Sequence, residues 1–546
     1  GEGDPAKVAY SFVLYEVTPQ GNAVRVQVDN LDQPFDLNSG ARLELGSTAK
    51  LRTLVTYLEL VAGLYGQLVF QAALPPSNRV PLPRDPISEW AGGLLARHPR
   101  ATLRETLDSA MQRRYSASPA RFFTGGGVHN FRNFDSRFDY SAPTLVEGFR
   151  HSSNLVFVRL MQDIVRYHEA RLPGSIPSMA ADSTLPERQA LLERYADTDG
   201  RLLIERFYRR HFGKSPAVML DRLSGGSTSP ERFTRVFLAV APGASAADLA
   251  VALERQFPRS FEPGAVEQLY GSVTRSLILT ERAELAQVPP LELWVVAWLW
   301  LRPQATLQEI QQHAFQSRQE AHGFLFRDSP TVTRAQDRAI RVSREREAFK
   351  PILLSWRRLG YPYEDIVPSL GTAIGSSGDR PAALAELVGI LLSDGVRRPV
   401  IRTEKLHFGP GTPFETLLER ELQPGTRVMS TEVAAVARAA LADVVESGTA
   451  GALRGALRRP DSSEVAIGGK TGTGENQIKF FARGGRLTGV RTLSRTATFV
   501  FYLGDRFYGV ATAYVDGPAA NEFRFTSGLP VRLVNLLLPD LAPLLE

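Results

Sequence analysis

The segments that are typical of β-strands lie near the two ends of this chain. Residues 8–16 and 23–29 form one pair of apolar or alternating runs around a turn, and residues 496–504 and 507–515 form another. A fifth run, residues 465–473, leads apolar side chains into a Gly-rich stretch. Strands of one sheet lie side by side, so the middle of the chain must fold between them. The pattern predicts an α/β (α+β) fold with a five-stranded antiparallel sheet flanked by helices, rather than a series of βαβ units.

Helices are expected between and after these strands. A helix is predicted to begin at Ser47, and the last apolar run, residues 527–538, is predicted to be a helix packed on the sheet. We therefore divide the chain into three parts. Residues 1–165 hold the first part of the sheet domain, residues 166–345 an insertion, and residues 346–546 the second part.

The insertion is expected to be all-helical, because strand patterns are few in it and helix-start signals recur. Ser245 and Thr306 each precede an acidic residue by three positions, which is the pattern of a capping box, and Ser229 precedes a proline. Two roles remain open for this region: a docking module for a protein partner, or a cap that has no partner.

The composition fits a folded protein and excludes several kinds of chemistry. Of 546 residues, 43% are apolar and 22% are charged, which is ordinary for a globular chain. The absence of Cys excludes disulfides and thiol catalysis, and the eight His residues show no metal-ligand spacing, so neither a metal nor a cofactor is predicted. A formal charge of +6 permits contact with anionic surfaces, but no compact Lys/Arg run indicates nucleic-acid binding.

No membrane-spanning segment is predicted. The most apolar run, residues 291–301, has eleven residues and includes Glu292. A spanning helix needs about 20 predominantly apolar residues. This run is therefore predicted to be a buried helix.

Lysine is scarce in this chain, so its positions are informative. Only seven of the 64 Lys and Arg residues are Lys. A chain that uses Arg at most basic positions should keep Lys where a compact or deprotonatable amine is needed. Lys470 opens a Lys-Thr-Gly-Thr tetrapeptide, which composition predicts roughly 0.002 times in such a chain. Lys50 ends the one Ser-x-x-Lys, which begins at Ser47, and the one Ser-x-Asn, from Ser152 to Asn154, lies between them.

These three motifs, in this order, resemble those of the transpeptidase domain of class A penicillin-binding proteins, which share a superfamily with the β-lactamases. The resemblance extends to segments at Asn133, 368–375 and 444–450, and it covers about residues 8–165 and 346–540. It implies a β-lactamase/transpeptidase-like fold with a helical insertion. It also implies a serine-type D,D-transpeptidase that cross-links peptidoglycan stem peptides through an acyl-enzyme.

The chemistry of acyl transfer accounts for these residue types. A serine hydroxyl needs a base near neutral pH, and Lys50 follows Ser47 by three positions, on the same face of a helix. Burial and a second cation, Lys470, would both favour the neutral amine that can act as this base. By resemblance, Ser152 relays a proton to the departing amine, and Asn154 orients Lys50.

The resemblance also implies the groups that bind the substrate. The backbone N–H groups of Ser47 and Thr473 would hold the oxyanion. Thr471 and Thr473, with the charge of Lys470, would bind the terminal carboxylate of a D-alanyl-D-alanine donor. Gly472 would let the substrate approach the edge of the sheet closely, as an added strand does.

The expected partners are peptidoglycan stem peptides, as donor and as amine acceptor, and β-lactams, which acylate the same serine. The resemblance implies the periplasmic, extracytoplasmic face of the inner membrane, with an anchor and a glycosyltransferase domain in parts outside this chain. Alternatives are a D,D-carboxypeptidase, a non-catalytic β-lactam-binding sensor or scaffold, and a β-lactamase, although no Glu-x-x-x-Asn deacylation loop stands out. Relatives have a Thr-rich strand where this chain has Gly474-Glu475-Asn476, a difference that could change acceptor preference or β-lactam affinity.

Overall fold

The chain folds as two compact units. Unit 1 comprises residues 1–172 and 345–546, and unit 2 comprises residues 173–344. In its described residues, unit 2 contains helices and no strand. The computed structural model describes residues 3–124, 127–174, 185–226, 229–257, 259–273, 277–327, 330–419, 421, 423–459, 461–481 and 487–545.

All strands of the described residues belong to unit 1. They are β1 (Ala9–Thr18), β2 (Gly21–Asp29), β3 (Ala120–Thr124), β4 (Gly127–Phe131), β5 (Val396–Arg397), β6 (Val400–Ile401), β7 (Lys405–Phe408), β8 (Thr416–Glu419), β9 (Thr426–Arg427), β10 (Ile467–Phe481), β11 (Leu487–Leu503) and β12 (Phe507–Asp516). The main sheet has the order β10-β11-β12-β1-β2-β6, and three two-stranded sheets pair β3 with β4, β5 with β9 and β7 with β8.

The main sheet has six strands, so the predicted number of five was wrong. The five predicted strands are present and pair antiparallel. The sixth, β6, is two residues long and pairs parallel with β2, placing Asn22 opposite Val400 and Ala23 opposite Ile401. Two residues are too few to show the alternation that identifies a strand in a sequence.

The two ends of the chain meet in the middle of this sheet. β1 pairs with β12 from Ala9 opposite Tyr514 to Glu16 opposite Phe507. In β11, every residue from 499 to 503 is buried. Successive strand residues point to opposite faces, so the burial of all five shows that both faces of this strand are covered.

The helices surround the sheet in unit 1 and make up unit 2. They are α1 (Leu37–Gly40), α2 (Ala49–Ala72), α3 (Pro86–Arg97), α4 (Leu103–Met111), α5 (Leu145–Arg150), α6 (Asn154–Glu169), α7 (Pro186–His211), α8 (Pro216–Ser224), α9 (Pro230–Val240), α10 (Ala246–Gln256), α11 (Pro263–Gly271), α12 (Leu279–Ala286), α13 (Pro290–Leu301), α14 (Leu307–His313), α15 (Phe315–Ala321), α16 (Pro330–Arg358), α17 (Pro381–Leu392), α18 (Thr431–Ser447) and α19 (Gly528–Leu541).

The long helix α2 is the central helix of unit 1. With the turn before it, it spans Gly46–Ala72, and an 18-residue stretch within it has a mean hydropathy of 1.4, so by length and composition alone it could cross a membrane. This helix was not predicted from the sequence as a possible membrane span. Its residues from Leu51 to Leu58 are buried in the protein core, which accounts for its apolar composition.

Unit 2 begins several of its helices where the sequence predicted. Ser245 and Thr306 form capping boxes at the starts of α10 and α14, and the Ser229 side chain caps α9. The apolar run at residues 291–301 lies in α13, where most of its aliphatic side chains are buried in the core of this unit, as predicted.

Candidate active site

Ser47 lies where a tight turn becomes a helix. Gly46–Thr48 form a 3₁₀ turn, and α2 begins at Ala49, two residues later than predicted. Lys50 is therefore in the first turn of α2, and its Nζ lies 2.8 Å from Ser47 Oγ. This distance is within the reach that a base needs to take the proton of the hydroxyl.

Lys50 is fully buried among neutral oxygen atoms. Its Nζ lies 2.8 Å from Asn154 Oδ1, 3.0 Å from Ser152 Oγ and 2.5 Å from the carbonyl oxygen of Ser152. In the described part of the chain no carboxylate pairs with this amine. The charged form of Lys50 therefore pays the cost of desolvation without the compensation that a neighbouring carboxylate would provide.

The Ser-x-Asn motif forms the turn between α5 and α6, and its conformation is constrained. Ser152 has a φ of 57°, which is uncommon for a residue other than Gly or Asn. Asn133 supports the turn, because its Oδ1 accepts hydrogen bonds from Ser153 Oγ at 3.0 Å and from the N–H of Leu155 at 3.1 Å. These contacts hold Ser152 in a backbone conformation that would otherwise be costly.

The strand β10 brings Lys470 to the same serine. Lys470 is fully buried, and its Nζ donates hydrogen bonds to Ser152 Oγ at 2.9 Å and to the carbonyl oxygen of Thr471 at 3.0 Å. Ser152 Oγ thus contacts the amines of both Lys50 and Lys470. A hydroxyl can donate one hydrogen bond and accept two, so this one can link the two amines.

Burial changes the protonation of both lysines. It lowers the pKa of Lys50 well below 10.5, and the nearby Lys470 lowers it further. Burial also lowers the pKa of Lys470 to about 7. Lys50 can therefore be a neutral base, while Lys470 itself changes charge near neutral pH. A carboxylate bound beside Lys470 would favour its protonated form.

Glycines in β10 let this strand lie directly against the nucleophile turn. A Cβ on Gly472 would overlap the carbonyl oxygen of Leu45, and a Cβ on Gly474 would overlap that of Glu44. The predicted reason for Gly472 was space for the substrate. In the structure, the turn that carries Ser47 occupies the side of Gly472 on which a Cβ would lie. The strand can therefore pack on this turn only because residue 472 is a glycine.

The two predicted oxyanion donors lie on segments that touch each other. Gly46, beside Ser47, has a φ of 55°, and a Cβ there would overlap the carbonyl oxygen of Thr473. Gly375, with a φ of 109°, lies against the backbone of Gly46 from another side. This close packing fixes the backbone of Ser47 relative to that of Thr473.

The two threonines of the tetrapeptide have polar neighbours in the protein. Thr471 Oγ1 and Thr449 Oγ1 are 2.6 Å apart, and the N–H of Ser527 donates to Thr473 Oγ1 at 2.9 Å. Each hydroxyl can form further hydrogen bonds. Thr449 and Ser527 therefore join the predicted carboxylate-binding groups.

These side chains surround a cleft of about 1,030 Å³ in unit 1. Its lining includes the largely exposed Phe134, and Phe138, which stacks on His151 with ring centroids 4.8 Å apart. Burial and the neighbouring Arg150 lower the pKa of His151. A concave site that combines apolar surface with a few convergent polar groups is typical of a binding site for a small ligand.

The unusual flank of the tetrapeptide is a regular continuation of β10. Gly474 pairs with Thr496 and Glu475 with Arg495 on β11. The Glu475 carboxylate also forms an ion pair with Arg495 at 2.7 Å. The flank therefore keeps the strand geometry and places a paired carboxylate at the lining of the cleft.

The structure brings every sequence-predicted site residue to this one cleft or directly behind it. The side chains of these residues contact one another and also Thr449, Ser527 and the carbonyl oxygen of Arg132. Asn133 supports the turn that carries Ser152 through its bonds to Ser153 and Leu155. Asn133 and Thr449 lie in segments that carried the family resemblance, whereas Ser527 is the first residue of the helix predicted over residues 527–538. The described residues contain no group of three or more His, Cys, Asp or Glu side chains that could hold a metal ion.

Solved structures that this chain resembles include penicillin-binding proteins and transpeptidase domains. Penicillin-binding protein PonA1 from Mycobacterium tuberculosis is 13% identical, with a TM-score of 0.40, over 99% of this chain and 78% of that chain. The D,D-transpeptidase domain of a peptidoglycan glycosyltransferase from Eggerthella lenta is 13% identical, with a TM-score of 0.37, over 97% of this chain and 78% of that chain. Penicillin-binding protein 1A from Haemophilus influenzae is 11% identical, with a TM-score of 0.42, over 98% of this chain and 48% of that chain.

These structures are of the class of protein that the sequence motifs resemble. No family model and no curated protein matches the chain. At these identities and TM-scores the likeness carries no argument about activity. The case for function rests on the geometry around Ser47.

Proposed function

We propose that this protein is a penicillin-binding D,D-transpeptidase that forms an acyl-enzyme at Ser47. One observation carries the proposal, the hydrogen-bonded chain from Ser47 Oγ through Lys50 Nζ and Ser152 Oγ to Lys470 Nζ, with separations of 2.8, 3.0 and 2.9 Å. It links a nucleophile, a buried base, a relay and a second amine beside an open cleft. A capping serine with a purely structural role would not need such a chain.

In the proposed acylation, neutral Lys50 takes the proton of Ser47, and the Ser47 oxygen attacks the penultimate D-alanine carbonyl of a stem peptide. The backbone N–H groups of Ser47 and Thr473 stabilise the oxyanion. The C–N bond breaks as Ser152 passes a proton from Lys50 to the leaving D-alanine amine. An ester on Ser47 remains.

The second half of the proposed reaction repeats these steps in reverse. The amine of a neighbouring stem peptide attacks the ester, and the new amide forms the cross-link. The proton lost by the amine nitrogen returns through Lys50 to the Ser47 oxygen. In the first half of the reaction, Lys470 and the hydroxyls of Thr471 and Thr473 bind the terminal carboxylate of the donor until D-alanine leaves.

The substrate sets the proposed location and the proposed inhibitor. Peptidoglycan is cross-linked outside the cytoplasm, so the reaction would take place at the periplasmic, extracytoplasmic face of the membrane. β-Lactams present a strained amide that resembles D-alanyl-D-alanine, and they would acylate the same Ser47. The proposal also includes a glycosyltransferase domain that acts together with this domain.

Intact-mass measurement with a penicillin tests the proposal. We expect one adduct per chain on the wild type and none on Ser47→Ala. Absence of an adduct on the wild type, or an adduct that persists on Ser47→Ala, would contradict it.

Two alternatives also have a ligand bound at Ser47, but they differ from a transpeptidase in the products that they release. A D,D-carboxypeptidase would pass the acyl group to water even when an amine acceptor is added. A non-catalytic sensor would bind a β-lactam but release no D-alanine from a pentapeptide. Product analysis with a pentapeptide donor, with and without the amine, separates the three.

A further inference from the structure

Glu44 is a carboxylate in the cleft that the proposed reaction does not yet use. It lies three residues before Ser47, is half-buried, and lines the same cleft as Ser47 and Thr473. Within the described ranges its carboxylate has neither a hydrogen-bond partner nor an ion-pair partner, and burial raises its pKa above 4.5. A half-buried carboxylate with no partner is stabilised when a cation binds to it.

The backbone of Glu44 is fixed against the strand that would hold the donor. A Cβ on Gly474 would overlap the Glu44 carbonyl oxygen and lie 3.3 Å from Glu44 Cβ. Gly474 directly follows Thr473, one of the predicted oxyanion donors. Glu44 is therefore anchored one residue beyond the point where the acyl group would be held.

The other carboxylates that line the cleft already have counter-charges. Glu475 pairs with Arg495 at 2.7 Å, and Asp135 pairs with Arg137 at 2.6 Å. Glu44 is thus the cleft-lining carboxylate that remains for a cation from outside, among the residues that the structure describes. Glu475 is a matched comparison, because it is the same residue type in the same cleft. Since its charge is paired with Arg495, we expect the Glu475 side chain to have little effect on acceptor preference, unlike the first expectation for this flank.

We propose that Glu44 binds the cationic amine of the acceptor peptide and so determines the preference for an amine acceptor over water. The inference rests on the proposed transpeptidase function and adds the acceptor side to it. The amine of a free diamino-acid side chain is an ammonium near neutral pH, with a pKa of about 10.4 as for lysine. A carboxylate attracts an ammonium group electrostatically. Water and alcohols carry no charge, so a carboxylate does not attract them in this way.

The protons of the ammonium are accounted for in the transfer. Of its three N–H protons, one passes to the Glu44 carboxylate and then to solvent, which leaves a neutral amine. The nitrogen of this amine attacks the ester carbon, the C–N bond forms and the C–O bond to Ser47 breaks. A second proton passes through Lys50 to the Ser47 oxygen, and the third stays on the new amide nitrogen.

The test compares Glu44→Gln with Glu475→Gln, using a pentapeptide donor and two acceptors of the same length, aminohexanamide and hydroxyhexanamide. We measure the acceptor concentration at which transfer equals hydrolysis. We expect Glu44→Gln to raise this concentration about tenfold for the amine, since a charged hydrogen bond is lost. The value for the hydroxyl acceptor should be unchanged, Glu475→Gln should stay within twofold for both, and Glu44→Asp should recover most of the loss.

Two results would overturn the inference: an unchanged amine dependence in Glu44→Gln, or an equal change in Glu475→Gln, which would show a general effect of cleft charge. The rate of penicillin acylation separates this inference from the proposed function. If the wild type forms no penicillin adduct, the proposed function fails and the role of Glu44 fails with it. If the wild type is acylated and transfers to the amine, an unchanged Glu44→Gln overturns the role of Glu44 alone.

Discussion

A buried arginine of unit 2 and two buried lysines of unit 1 have different kinds of partner. In unit 2, Arg318 has a side chain only 1% exposed and contacts Asp197 Oδ1 at 2.8 Å and 2.7 Å through two of its nitrogens. In unit 1, Lys50 and Lys470 are completely buried and contact hydroxyl and carbonyl oxygens. Lys50 also lies close enough to Lys470 for the charge of Lys470 to lower the pKa of Lys50.

This difference distinguishes a buried charge that stabilises the fold from a buried amine that can exchange its proton. A buried cation with a carboxylate partner keeps its charge and holds helices together. A buried lysine without such a partner loses its proton more readily, at a cost to stability that packing elsewhere must offset. Unit 1 contains both kinds within one turn of α2, because Arg52 pairs with Asp379 at 2.6 Å, while no carboxylate of the described residues pairs with Lys50.

The largest expected effect comes from replacing the unpaired lysine by a residue that stays protonated. Lys50→Arg should lower the second-order rate of penicillin acylation by about a thousandfold, since guanidinium cannot act as the base. Stopped-flow or mass-based acylation kinetics measure this. Lys350→Arg, at an exposed lysine, is the matched control and should stay within twofold. Acylation of Lys50→Arg at a rate near that of the wild type would exclude Lys50 as the base.

A smaller effect is expected from breaking the paired charge in unit 2. Arg318→Ala leaves Asp197 without its main partner and removes a side chain packed against Gly200, so the free energy of unfolding should fall by about 2–3 kcal/mol. Asp197 keeps a second ion pair with Arg201, which limits the loss. Urea unfolding measures the change, and penicillin acylation should remain within twofold. A large loss of acylation by the folded variant would show that unit 2 acts on the site.

The smallest effect is a change with pH that depends on the ligand. As the pH rises through about 7, Lys470 loses its proton and with it the charge that we propose binds the substrate carboxylate. Acylation by a penicillin should therefore fall, about tenfold between pH 6 and pH 8, whereas acylation by its methyl ester should not fall. Parallel pH profiles measure this. An equal fall for both compounds would assign the titration to another group.

Much of the fold could be predicted, because its strands are long enough to show their pattern. β1, β2 and β12 have the positions expected from alternation and turn residues, within about two residues at each end. β10 and β11 extend further than predicted, since their far ends carry polar residues such as Glu475 and Arg495 that do not resemble a strand. β6 could not be predicted, because its two residues pair with β2 only through the tertiary fold.

The residue types of the candidate site and the lowered pKa of Lys50 could be predicted from the sequence, whereas the lowered pKa of Lys470 could not. The motifs identified Ser47, Lys50 and Lys470, and the structure places them together, while their catalytic roles stay predictions. The reason for Gly472 and the lowered pKa of Lys470 depend on distances and burial that a sequence does not contain. The same holds for Glu44, because only the three-dimensional structure shows that its carboxylate has no partner among the described residues.

The central claim is that the two buried lysines have amines unlike those of ordinary lysines. Because the chain has only seven Lys residues, NMR of protein labelled at the lysine side chain should give few, resolvable signals. Lys50→Arg and Lys470→Arg assign two of them. We expect the Lys470 signal to titrate near pH 7 and the Lys50 signal well below 10.5. Titration of both signals near 10.4, the ordinary value for a lysine side chain, would contradict the account.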